Sequence, residues 1–267
     1  MAVVLITGCS SGFGLAAAHG FSAQGDDVIA TMRDPSKASG ELLGAASVAQ
    51  LDVTDAAGRR AAVAQVLADF GRIDVLVNNA GISSLGPAEE LPDEIIRSQF
   101  ETNFFGPFAL IKEVLPSMRE AGSGRIVNVT SIGALLSSGF YSAYCATKHA
   151  LDAMSLGLDI ELQPWGIRVV TVVPGGFNTA IVANRIAAER ADTSYPRAAE
   201  AIEAYEKRMI GKDDLTPVTD AIIAAATDAE PRARYLVGSG TAEMLAPVVE
   251  LGESIHRSLR ERDRPDQ

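Results

Sequence analysis

VVLITGCSSGFGLAAAHGFSAQGDDVIATM, residues 3–32, decides how the rest of the chain is read. It opens on VVLI (3–6), a short apolar run with the character of a buried strand. Gly8, Gly12 and Gly14 then break the run, and GFGLAAAHGFSAQG (12–25) reads as a helix that stops at Gly25. DVIATM (27–32) is a second strand. Strand, glycine turn, helix and strand form one unit of an α/β chain, in which neighbouring strands run parallel.

The same alternation continues. VAQLDV (48–53) reads as a strand, AAGRRAAVAQVLADFG (56–71) as a helix, and IDVLVNNAG (73–81) as a strand into a turn. A helical stretch covers about 92–120, GRIVNVTS (124–131) is a strand, and 142–163 is a helix. IRVVTVVPGG (167–176) and ARYLVG (233–238) are the last strands. Apolar strands with helices between them bury both faces of a parallel sheet. Seven strands without a dividing linker give one doubly wound α/β domain over residues 1–267. The segment 178–230 is helical but polar, with Pro196 and Pro217 marking turns, and reads as an insertion over the site. The tail 257–267 is charged and is expected to fray.

Composition narrows the function classes. The chain has 267 residues, 47% hydrophobic and 21% charged, enough for a sizeable core. A net charge of −11 argues against non-specific binding to nucleic acid or to an acidic membrane. No apolar run approaches the ~18 residues of a membrane span. Cys9 and Cys145 show neither metal spacing nor a disulfide framework and suit a reducing compartment. MAVVLITG carries no basic segment ahead of its strand, so a cytoplasmic location is expected.

TGCSSGFG (7–14) is the first chemical signal. Its glycines permit a tight turn and close backbone approach, and the following helix aims its free N–H groups at a diphosphate. The spacing G-x3-G-x-G differs from the G-x-G-x-x-G dinucleotide fingerprint, and a plain strand–helix turn would also use glycine. The end of the second strand reads TMRDPSK (31–37), with no carboxylate for a ribose 2′-OH. Arg33 follows Met32 and offers a fork of donors suited to a 2′-phosphate, which favours NADP(H). A solvated Arg33 paired to Asp34 would leave NAD(H) open.

The second signal is YCATK (144–148). Tyrosine and lysine both titrate near pH 10 in isolation. Tyr144 and Lys148 stand at i and i+4, on one helix face, where the lysine charge favours tyrosinate and makes Tyr144 a usable acid/base. Tyr141 lies two turns from Lys148, too far for the same effect. Alone the pattern is a weak one and reads first as a surface Tyr–Lys pair on a helix.

Taken in order, TGCSSGFG (7–14), NNAG (78–81), Asn103 in ETNFFG, Ser131 in NVTSIG, YCATK (144–148) and PGGFNT (174–179) resemble the single-domain short-chain dehydrogenase/reductase family. LITGCSSGFG, ATMRDP and YCATKHAL are most similar to its retinol and 17β-hydroxysteroid dehydrogenase side. The resemblance covers the chain up to the YLVG strand and implies a Rossmann-type fold, an NAD(P)(H) cofactor and a small alcohol or carbonyl substrate. It implies Tyr144 as proton donor and acceptor, and Lys148 as the ribose ligand that depresses its pKa. Ser131 would hold the substrate oxygen, and Asn103 a water linking Lys148 to solvent. Implied cofactor contacts are Gly8, Ser10, Ser11, Gly12, Phe13 and Gly14 in the turn, and Asp52 and Val53 at the adenine. Asn79, Ala80 and Gly81 would line the adenosine, with Pro174, Gly175 and Thr179 toward the nicotinamide.

The remaining residues near the site are apolar: Leu85, Leu135, Leu136, Phe140, Tyr141, Phe177, Ile181 and Val182. Such a lining favours an apolar alcohol or ketone, with Ser131, Tyr141 and Tyr144 as substrate contacts. Ordinary loop packing would use the same residues. A non-catalytic dinucleotide sensor would not need Asn103, Ser131, Tyr144 and Lys148 together. The resemblance also implies a homodimer or homotetramer built through helices at about 100–120 and 142–163, no metal, and no nucleic-acid or membrane partner.

Overall fold

The structure is a computed structural model, which describes all residues except 180, 182–185, 188–193, 210–213, 239 and 263–267. The main sheet holds seven parallel strands: β1 (Val3–Thr7), β2 (Asp27–Met32), β3 (Ser47–Gln50), β4 (Val75–Asn78), β6 (Gly124–Val129), β7 (Ile167–Pro174) and β9 (Arg234–Val237). Their order is β3-β2-β1-β4-β6-β7-β9. The chain winds outward from β1 in both directions, so the order reverses between β1 and β4. A crevice opens there at the strands' carboxyl ends, where ligands of open α/β sheets bind.

Alternation along each strand builds two apolar layers. Val4 and Ile6 join Phe21 and Ala18 of α1 (Gly12–Ala23) on one face. Val3 and Leu5 join Val63 of α3 (Ala56–Phe70) and Leu110 and Val114 of α5 (Gly106–Ala121) on the other. α6 (Ser142–Glu161) also covers this second face, through Met154 and Leu158. Between α1 and β3 lies the short α2 (Gly40–Ala45).

Several expectations meet corrections. The helix expected at about 92–120 is divided into α4 (Asp93–Phe100), a π-helical turn at Glu101–Phe105, and α5. Pro107 carries no N–H, so the Asn103 carbonyl has no donor four residues on, and the helix widens there. The third strand stops at Gln50 instead of Val53, because Asp52 turns the chain by accepting from the Thr54 N–H (2.9 Å) and hydroxyl (2.8 Å). The insertion contains α7 (Ala198–Met209) and a two-residue strand β8 (Ile186–Ala187), paired to β5 (Ser84–Leu85). α8 (Thr216–Thr227) lies within the span read as insertion. It instead packs Val218 and Ile222 into the α1 face of the core. The charged end does not fray at 257, since α9 (Thr241–Arg262) runs on and Arg260 reaches the Asp159 carboxylate at 2.5 Å. Val182 lies outside the described residues. Among the described residues, no helix is long and apolar enough to cross a membrane.

Candidate active site

A cleft of about 610 Å³ lies over the reversal point of the sheet. Its floor is the glycine turn. Gly8 has φ +75° and sits so close to β4 that a Cβ there would fall 2.9 Å from the Ala80 Cα. A Cβ at Gly14 would lie 2.4 Å from Asn79 Nδ2 and 2.5 Å from the Gly8 carbonyl oxygen. Asn79 fills that space, donating to the carbonyls of Thr7 (2.9 Å) and Gly8 (3.2 Å). The Thr7 hydroxyl receives the Asn79 and Ala80 N–H groups, both at 3.0 Å, and clamps the turn to β4. Ser11 stands at the N-cap of α1 with no side-chain cap bond, so the first N–H groups of the helix remain available to an anion.

The structure brings nearly every expected cofactor residue to this cleft. Ser10, Ser11, Gly12, Phe13, Arg33, Asp52, Val53, Asn79, Ala80, Gly81, Pro174, Gly175 and Thr179 all line it, while Gly14 lies beneath the floor. Arg33 is exposed, and among the described residues its guanidinium has no partner. Asp34 is not that partner, because it accepts from Ser36 (2.7 Å) and pairs with Lys37 at 3.9 Å. Sequence reasoning missed the charged Glu101 and the hydroxyls of Ser98 and Thr102 in the lining, which lie in the helical stretch read only as structure, and also Met32, Leu51, Thr54, Ile82, Ser83, Val129 and Gly176. None of them is a residue that defines a motif, so no local pattern marks them.

The other end of the cleft holds the ionisable groups. Tyr144 and Lys148 project from the first turns of α6, with the Lys148 Nζ 5.8 Å from the Tyr144 ring centroid. The Lys148 ammonium donates to the Val129 carbonyl at 2.9 Å. Burial draws its pKa down from 10.5 to about 8. Ser131 stands two residues beyond the end of β6 and caps the short turn that follows, its hydroxyl accepting the Gly133 N–H at 3.0 Å. A Cβ at Gly133 would lie 3.4 Å from Ser131 Oγ and 3.5 Å from Tyr144 Cε1, so hydroxyl and phenol ring flank one spot. Gly81 also borders this end of the cleft, where a Cβ would lie 3.3 Å from Asn103 Oδ1 and 3.7 Å from Lys148 Nζ. Thr130 turns its hydroxyl to the Val172 carbonyl (3.0 Å), away from this spot.

Asn103 is placed differently from the lining residues. It is fully buried and its carboxamide is occupied: Oδ1 accepts from the Ile82 N–H (2.9 Å), and Nδ2 donates to the Ile82 carbonyl (2.9 Å) and Thr147 Oγ1 (3.0 Å). Its side chain therefore splints the loop after NNAG to α6.

Of the expected apolar residues, Leu85, Tyr141, Phe140 and Ile181 gather with Tyr144, Cys145 and Ile202 in one cluster. Tyr141 stacks on Tyr144 with centroids 4.5 Å apart. Phe177 instead packs edge-on to Phe13 (5.7 Å), and Leu136 stands exposed. Burial pushes the Cys9 thiol up to about 12 and raises that of Cys145, which disfavours the thiolate at both.

Comparison with known proteins agrees with this arrangement. The profile of the family described as short chain dehydrogenase matches residues 2–190. A 3-ketodihydrosphingosine reductase of Bacteroides thetaiotaomicron is 42% identical over 68% of this chain, which spans about two thirds (66%) of that relative's length. A 17-beta-hydroxysteroid dehydrogenase type 1 of Mus musculus is 34% identical over 87% of this chain and 72% of its own. A gluconate 5-dehydrogenase of Burkholderia cenocepacia, solved with NADP and tartrate, superposes with a TM-score of 0.74 at 27% identity, covering 91% of this chain and 95% of that one. The chain belongs to the short-chain dehydrogenase family, whose profile spans residues 2–190 and with them the glycine floor of the cleft and Ser131, Tyr144 and Lys148 at its other end.

Proposed function

We propose that this protein is an NADP(H)-preferring oxidoreductase that interconverts an apolar ketone or aldehyde with its alcohol, with Tyr144 as general acid and base. The observation that carries this reading is that Ser131, Tyr144 and the buried Lys148 line one cleft, with the Lys148 ammonium 5.8 Å from the Tyr144 ring centroid.

The residues present fit a dinucleotide. The open N-terminus of α1 and the Gly8–Gly12 turn would take the diphosphate, Arg33 the 2′-phosphate, Asp52 and Val53 the adenine, and Asn79 to Gly81 the adenosine. Pro174, Gly175 and Thr179 would border the nicotinamide, and Lys148 its ribose. When bound, the nicotinamide supplies or accepts the hydride. In reduction the Tyr144 hydroxyl donates its proton to the carbonyl oxygen, and the Ser131 hydroxyl steadies that oxygen as charge develops. The Lys148 charge favours the resulting tyrosinate. A proton from solvent would then return to the Tyr144 oxygen and restore the acid. Oxidation of the alcohol runs the same steps in reverse.

Ile82, Tyr141, Phe177 and Ile181, which form an apolar part of the cleft wall, support an apolar substrate. Relatives named for 3-ketodihydrosphingosine and for a 17β-hydroxysteroid support the same class. The gluconate enzyme is named for a polar sugar acid, which such a wall would not hydrogen-bond. Phe105 and Trp165, both more than 40% exposed beside α5 and α6, support a homodimer or homotetramer through those helices.

The test is a panel of lipophilic ketones and secondary alcohols, followed at 340 nm with NADPH and NADH. Tyr144→Phe should lower kcat by about a thousandfold or more, in line with loss of the general acid. Full activity in that variant would end the catalytic assignment, and a lower KM for NADH than for NADPH would end the cofactor assignment.

A further inference from the structure

Helix α6 meets the sheet through a polar face. Lys148, Asp152, Ser155 and Asp159 follow at i, i+4, i+7 and i+11, the spacing that ordinarily carries the apolar stripe of a core-facing helix. All four are buried. Each is bonded across to another element. Lys148 donates to Val129 of β6 at 2.9 Å. Asp152 accepts from Arg234 of β9 at 2.7 Å and from the Thr171 hydroxyl of β7 at 3.3 Å. Asp159 accepts from the Val169 N–H, Arg168 and His256, each at 2.9 Å. Ser155 accepts from Asn128 Nδ2 at 2.8 Å and donates to the Leu151 carbonyl at 2.6 Å.

Such a row is an inefficient way to gain stability, since buried ionic and polar groups commonly do no better than apolar side chains of the same shape. It does what apolar packing does less well. Hydrogen bonds weaken steeply off their geometry, so a row of them resists rotation and sliding of the helix on the sheet.

The Asn128–Ser155 bond is the member most directly tied to the reacting pair. Asn128 immediately precedes Val129, whose carbonyl holds Lys148. Its carboxamide is itself oriented by Asn78 Nδ2, which donates to Asn128 Oδ1 at 2.8 Å. Ser155 lies two helical turns beyond Lys148, on the order of 10 Å along the axis. β6 and α6 are thus joined at two separated points, and two points fix both rotation and slide. Neither Asn128 nor Ser155 lines the cleft.

We propose that Asn128 and Ser155 are positioning residues for Tyr144 and Lys148, setting the register of α6 on β6 and so the place of both side chains over Ser131. The proposal rests on the roles given to Tyr144 and Lys148 above. Ser155→Ala should lower kcat about tenfold, as expected when reacting groups move by a fraction of an ångström. Loosened packing should also admit water to the Lys148 ammonium and raise its titration midpoint from about 8 by about half a pH unit or more, read by NMR of lysine-labelled protein. Ser155→Cys, close in volume but a poor acceptor, gives the same two readouts should the alanine variant be unstable. Val66→Ala, a cavity in the α3 side of the core, is the control: it lowers stability and should leave kcat and the Lys148 titration unchanged. The proposal is overturned if the Ser155 variants lose stability as Val66→Ala does but keep the native kcat and titration. The NMR readout needs no turnover. A native protein inactive on every ketone would therefore count against the proposed reaction, while the titration decides the positioning claim separately.

Discussion

Lys148→Met should make the cofactor-free protein more stable while abolishing its activity. The lysine is 4% exposed, and its ammonium donates to the Val129 carbonyl at 2.9 Å. The fall in pKa from 10.5 to about 8 corresponds, at about 1.4 kcal/mol per pH unit, to about 3 kcal/mol of folding stability lost to keeping the group charged at pH 7. Methionine retains the stem volume and removes the charge, at the loss of one hydrogen bond worth about 1 kcal/mol. The net expectation is a gain of about 2 kcal/mol at pH 7. The pH dependence is the sharper part. The folded pKa lies below the unfolded one, so the unfolded chain binds the extra proton between about 8 and 10.5, and native stability rises through that window. The advantage of the variant should be complete below pH 8 and gone near pH 10. Urea unfolding followed by far-ultraviolet circular dichroism, at pH 7 and pH 10 and at one protein concentration, measures it. A variant less stable than the native protein at pH 7, or a difference that does not change with pH, refutes the claim that burial depresses this lysine.

Three further outcomes are expected. Arg33→Ala should raise KM for NADPH about ten- to a hundredfold and leave KM for NADH unchanged, because charged hydrogen bonds to phosphate contribute about 1.5–3 kcal/mol; steady-state kinetics with both cofactors decides it. Gly14→Ala should abolish dinucleotide binding in a fluorescence titration, since the new Cβ would lie 2.4 Å from Asn79 Nδ2 and must displace the side chain that clamps the turn. Asp159→Asn should destabilise the protein by about 3–5 kcal/mol, because Arg168 and Arg260 lose their shared buried carboxylate. Hydrogen bonds from His256 and Arg168 and the charges of the two arginines hold Asp159 far below the usual carboxylate range despite its burial. Its contribution is therefore present above about pH 4 and lost as the pH falls below that, and the variant's acid unfolding curve should be correspondingly flatter.

The sequence by itself determined what depends on neighbours along the chain. The strand–turn–helix start, the glycines whose backbone must approach β4, the i, i+4 placement of Tyr144 and Lys148, and the alternation that makes a parallel sheet are all local patterns. Residue spacing alone places such groups on one face or in one turn. Tertiary structure decided what depends on which distant groups meet. Asn103 became a splint between Ile82 and Thr147, and α8 joined the core instead of the insertion. The charged C-terminal segment became a buried anchor on Asp159, ninety-seven residues away at His256. The polar row of α6 is the clearest case. Asp152, Ser155 and Asp159 carry no local signal of burial, because charge and hydroxyl ordinarily seek water. Only the folded sheet supplies Arg234, Asn128 and Arg168 as partners, and those partners are what allow such groups to be buried.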